Sequence, residues 1–116
     1  MKPRGTTVTF FKRSDGALVG YRAKGHTGYA EAGEDIVCAA VSALTQAALY
    51  GLTEVVAAPV KYEQRNNGAM LKVLFRPEAT VEAVEGGQVL LKTLQGSLQA
   101  IARDYPRNVR ISTERR

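Results

Sequence analysis

The chain has 116 residues, of which 45% are hydrophobic, and a single cysteine. This fits one globular domain with a modest core of its own, and one thiol excludes an internal disulfide and any multi-cysteine zinc or iron–sulfur site within the chain. The net charge of +5 attracts nucleic acid and acidic surfaces in general. The basic residues are nevertheless scattered, apart from a loose C-terminal set at Arg103, Arg107, Arg110, Arg115 and Arg116. That distribution favours solvated surface charge over a dedicated nucleic-acid site.

Met1 to Gly5 leads into alternating residues rather than an apolar run, so no signal peptide is expected. Thr6 to Lys12 alternates with Val8 and Phe10 on one side and predicts a strand. Ser14-Asp15-Gly16 is a turn, and Ala17 to Lys24 completes a hairpin. Between Gly25 and Gly33 the pattern dissolves into a glycine-rich loop. Asp35 can cap a helix running to about Tyr50, with Gly51 as its stop.

Ile36 to Thr53 carries no charge but includes Ser42, Thr45, Gln46 and many alanines. A buried helix is expected there rather than a membrane span, and the cytoplasm as location. Because the helix is apolar on nearly every side, a second helix or another subunit must help to cover it. Val60 to Arg65 and Met70 to Phe75 form a second strand pair across Asn66-Asn67-Gly68. Pro77 to Gly87 has no clear period and reads as irregular. Leu90, Leu94, Leu98, Ile101 and Tyr105 then mark an amphipathic helix closed by Pro106, and Val109 to Ser112 a last strand. The order β-β-α-β-β-α-β with tight hairpins implies one α+β domain over residues 1–116: a two-layer sandwich with a mostly antiparallel sheet.

The one histidine and the one cysteine lie twelve positions apart across the glycine-rich loop. With Asp35 as cap, Cys38 occupies the third helical position, near unpaired N–H groups and the positive end of the helix dipole. Such a position lowers a thiol pKa, particularly beside an imidazolium, and His26 is the candidate general base. Glu34 and Asp35 act against thiolate formation, less so for Asp35 if capping occupies its carboxylate. From spacing alone, an inert buried cysteine and a surface histidine remain the competing reading.

The run Gly25-His26-Thr27-Gly28-Tyr29-Ala30-Glu31-Ala32-Gly33-Glu34-Asp35-Ile36-Val37-Cys38-Ala39-Ala40-Val41-Ser42 resembles the signature of the Prp family of ribosomal-processing cysteine proteases. The shared pattern is Gly-His, a short loop, Gly-x-Asp-Ile-Val-Cys-Ala, then a serine four positions after the cysteine. Thr27 departs from it, standing where the family commonly has alanine. The resemblance extends over essentially the whole chain.

It implies a cytoplasmic, cofactor-free and metal-free endopeptidase with a dyad of Cys38 and His26. The implied partners are a homodimer mate and, as substrate, the N-terminal extension of a large-subunit ribosomal protein, cleaved after an aromatic residue. Gly25, Thr27, Gly28, Gly33, Asp35 and Ser42 would support the site or the peptide. Gly28 and Gly33 would hinge a closing loop, Asp35 would cap the helix, and N–H groups at the helix start would form an oxyanion hole. A non-catalytic ribosome- or RNA-associated adaptor is the alternative, and a redox-sensing thiol protein a second. Loss of peptide cleavage on replacing Cys38 separates the protease from the first. Sulfenylation of Cys38 independent of His26 would mark the second.

Overall fold

The computed structural model describes residues 5–25, 32–65 and 69–116. Its strands are β1 (Thr6–Lys12), β2 (Leu18–Lys24), β3 (Val60–Arg65), β4 (Met70–Phe75) and β5 (Val109–Arg115), with helices α1 (Ala32–Tyr50) and α2 (Val81–Asp104). They form a five-stranded sheet of order β3-β4-β2-β1-β5. The pairs β1/β2, β2/β4 and β3/β4 are antiparallel and β1/β5 is parallel, so the α+β sandwich with a mostly antiparallel sheet is the observed architecture. The Asn66-Asn67-Gly68 turn lies outside the described residues.

Placing both helices on one side follows from the connections. The crossovers β2-α1-β3 and β4-α2-β5 leave strands of opposite direction and step toward opposite edges. Right-handed crossovers then put both helices over the same sheet face. There Val8, Phe10, Tyr21, Ala23, Leu71 and Val73 meet Val37, Val41, Leu49, Leu91, Leu94 and Leu98 in a single core.

The second helix starts at Val81, nine residues ahead of its first periodic leucine, inside the stretch that reads as irregular. Thr80 caps it, its hydroxyl accepting a hydrogen bond from the Ala83 N–H at 3.1 Å. The Gly86-Gly87 pair hides this helix in the sequence, but it serves packing. A Cβ on Gly87 would collide with the Phe75 ring and come within 3.1 Å of Leu52.

At the end of α1, Gly51 does not stop the chain. The helix widens into a π-helical turn over Gly51–Val55, closed by the Val56 N–H donating to the Gly51 carbonyl at 2.8 Å. A side chain at Gly51 would meet Leu90 at 2.8 Å, so this glycine permits close helix–helix approach instead.

The expectation that α1 is covered on every side does not hold within one chain. Val37, Val41, Thr45, Ala48 and Leu49 face the core, whereas Ile36 is 70% and Tyr50 64% exposed, with Ala39, Ala43 and Ala47 outward beside them. Ile36–Val55 is long and apolar enough to cross a membrane, yet its inner side forms part of the domain core.

Candidate active site

At one end of the sheet, where β1 begins and β2 ends, the backbone is tied down at Gly25. Its N–H donates to the Ala69 carbonyl ahead of β4 (3.1 Å), and its own carbonyl accepts from the Thr6 hydroxyl (3.2 Å). Its φ of +105° is a conformation that costs L-residues but not glycine. A Cβ there would also run into the Gly5 carbonyl. Three segments thus fix the chain one residue before His26. His26, Thr27 and Gly28 themselves lie outside the described residues.

Cys38 stands across from this clamp on α1. Because the helix begins at Ala32, Cys38 is in its second turn rather than at the third position, and Asp35 belongs to the first turn instead of capping it. The helix thus starts four residues earlier than a cap at Asp35 would place it. Gly33 is accordingly helical and no loop hinge. The N–H of Cys38 is engaged in the helix ladder by its position, which removes it as an oxyanion donor.

Cys38 is a free, half-buried thiol. It shares a crevice of about 30 Å³ with Gly25, Ser42, Thr45, Gln46 and Ala69. Ser42, one turn beyond Cys38, and Gln46, one turn further, are exposed along the same edge of the helix.

Thr45 and Tyr21 support this wall. The buried Thr45 hydroxyl donates back to the Val41 carbonyl at 3.0 Å and approaches the Ser42 carbonyl at 3.2 Å. The Tyr21 hydroxyl donates to the Thr45 carbonyl at 2.6 Å, tying β2 to α1 at the level of the crevice. Burial pushes the Tyr21 phenol well above its ordinary pKa of 10.0, which keeps it a donor. Sequence reasoning missed Thr45, Gln46 and Tyr21. Thr45 and Gln46, polar within an alanine-rich helix, were the available signal. Among the described residues, no cluster of metal-ligating side chains occurs.

The chain as a whole has known counterparts. The family model for cysteine protease Prp matches residues 6–110. The chain belongs to that family. The ribosomal processing cysteine protease Prp of Bacillus subtilis is 28% identical over 106 residues, spanning 91% of this chain and 95% of that one. The crystal structure of SMU.848 from Streptococcus mutans superimposes with a TM-score of 0.85 at 26% identity, covering 97% of each chain. Prp from S. aureus in complex with a substrate peptide has the same fold, with a TM-score of 0.80 at 22% identity over 94% of this chain and 99% of that one. The reaction class is therefore thiol-dependent peptide-bond hydrolysis, in a family named for ribosomal processing.

Proposed function

We propose that this chain is an endopeptidase that removes the N-terminal extension of a large-subunit ribosomal protein, cleaving after an aromatic residue. Cys38 is the nucleophile and His26 the general base. The observation that carries this reading is the shared crevice: Cys38 and Gly25, the residue directly before His26, line the same small cavity.

In the reaction His26 takes the proton from the Cys38 thiol, and the thiolate sulfur attacks the scissile carbonyl carbon. As the tetrahedral intermediate collapses, the C–N bond breaks and the imidazolium gives its proton to the leaving amine. Water, deprotonated by the same imidazole, then attacks the thioester, releasing the carboxylate product and returning the thiol. With the Cys38 N–H held in the helix, the Ser42 hydroxyl and the Gln46 carboxamide are the crevice's side-chain donors for the developing oxyanion. The Thr45 hydroxyl is occupied by carbonyls of its own helix. Thr27, Gly28 and Asp35 keep the supporting roles that the family resemblance implies.

The exposed outer side of α1 supports a homodimer. Ile36, Ala39, Ala43, Ala47 and Tyr50 form an apolar, small-residue stripe of the kind that helices bury against each other. Ala43→Glu should convert a dimer into a monomer by sedimentation, with the far-ultraviolet circular dichroism unchanged; an unaltered dimer would move the interface elsewhere. The cytoplasm, where ribosomes are assembled, is the site of action.

Incubation with the unprocessed ribosomal protein from the same cell, read by intact mass, tests the function. Loss of a defined N-terminal segment that requires both Cys38 and His26 is the expected result. An unchanged mass would leave the adaptor reading in its place.

A further inference from the structure

The sheet has a second face, without helices, and its side chains follow from the strand register. Residues paired across strands share a face, and successive residues alternate. The pairs Thr9↔Arg22, Arg22↔Lys72 and Lys72↔Glu63 lie on the open side, as do Thr7↔Lys24, Thr7↔Arg110 and Lys61↔Leu74. Cations far apart in the chain are thereby gathered on one surface: Arg22, Lys24, Lys61, Arg65, Lys72 and Arg110. The carboxylates of this face among the described residues are Glu63 and Glu114, and Glu63 is engaged by Arg65 at 3.0 Å.

A separate observation points the same way. Phe11, fully buried on this open side, lies beneath three cations. Arg116 is 4.3 Å from the ring centroid, Arg22 5.5 Å and Lys72 5.8 Å. The ring's quadrupole attracts each of them, but like charges directly opposite across strands, here Arg22 and Lys72, destabilise a sheet. A polyanion laid over the face would relieve that repulsion.

Two clefts run over the surface and meet at Lys24 and Gly25. One is bordered by Arg107 and Arg110, the other by Arg22, Arg65 and Lys72. Gly25 also borders the Cys38 crevice, so an occupant of the clefts lies beside the active site.

From these features we infer that the open sheet face is a binding surface for the phosphate backbone of structured RNA. Among the described residues, the face has no exposed aromatic ring on which a base could stack, because Phe11 is covered. Recognition therefore runs through phosphates and helical shape rather than sequence. The choice of RNA among polyanions rests on the ribosomal-processing reading; the basic face does not. RNA held there would keep the protease next to a substrate that is itself assembling on RNA.

Fluorescence anisotropy of the full chain with a labelled RNA duplex of about 20 base pairs tests the inference. Wild-type protein should bind at about 50 mM salt and lose affinity steeply toward about 200 mM. Replacing Lys61, Arg65 and Arg110 together by glutamine should weaken binding at least about tenfold and flatten the log–log salt slope by about one for each phosphate no longer neutralised. The set Lys92→Gln, Arg103→Gln and Arg115→Gln, on α2 and on the helix-side register of β5, makes the same change in net charge away from the face and should leave binding within about twofold. Both sets should still cleave a free substrate peptide.

Equal losses in the two sets, no loss in the first, no wild-type binding at the lower salt, or competition by polyglutamate as effective as by RNA would each overturn the RNA surface. Absence of cleavage with selective RNA binding intact would overturn the proposed function and leave this inference standing.

Discussion

The crevice at Cys38 and the open face of the sheet meet at Gly25, yet opposite physics builds them. The crevice is made by short-range constraint: a positive-φ glycine, two hydrogen bonds that hold it, and the Tyr21–Thr45 contact that fixes the helix wall. Its geometry depends on single atoms, and one added methyl group can spoil it. The open face is made by accumulated long-range charge on a flat surface, where no single contact matters much. A nucleophile needs the first kind of construction and a polyanion the second. One sheet supplies both because its two faces are solvated so differently.

That contrast can be broken most severely at Cys38, the proposed nucleophile. Cys38→Ala should reduce cleavage by about a thousandfold or more, since the reaction has no other thiol to use. Melting temperature and RNA affinity should stay near wild type. Cleavage by Cys38→Ala at an undiminished rate would remove the residue from the chemistry.

A smaller but still large effect is expected from Gly25→Ala. Forcing an alanine to the φ of +105° costs about 1–2 kcal/mol on conformational grounds, and displacing the Gly5 carbonyl adds to it. Urea denaturation should show a drop in stability of at least about 2 kcal/mol. Cleavage measured well below the melting temperature should fall further than stability alone explains, because His26 follows directly. A variant as active and stable as wild type would show that the clamp does not position the dyad.

The mildest test is Tyr21→Phe. Losing the hydroxyl removes the side-chain hydrogen bond to the Thr45 carbonyl, worth about 1 kcal/mol. The pH dependence sharpens it. The folded-state pKa of Tyr21 is raised above the ordinary 10.0, so its contribution is intact below pH 10.0 and is lost as the pH rises beyond it, where the unfolded chain ionises first. Stability of the wild type should therefore fall more steeply above that pH than stability of Tyr21→Phe. Parallel slopes would mean that the phenol is not buried as a neutral donor.

Residues 6–12, 18–24, 60–65 and 70–75 were legible because alternation of period two and turn residues are local properties. So were the leucine stripe of α2 and the membership of the cysteine protease family, which rest on spacing along the chain and on motif likeness. The two helix starts were misjudged for opposite reasons. At α2 a real cap at Thr80 was overlooked because Gly86-Gly87 reads as a break, although a three-dimensional contact with Phe75 requires it. At α1 Asp35 is a plausible cap by residue type, although the helix begins at Ala32.

Sequence by itself determined the strand segments, the existence of both helices and the family likeness, since these depend on neighbours a few residues apart and on spacing along the chain. Only the tertiary structure decided the parallel docking of β5 on β1, the one-sided covering of α1, the tie between Tyr21 and Thr45, and the gathering of basic residues on one face. Each of these joins positions tens of residues apart through strand order and register. The alternation that makes Arg22 and Lys72 look like scattered surface charge in the chain is what sets them side by side in the sheet.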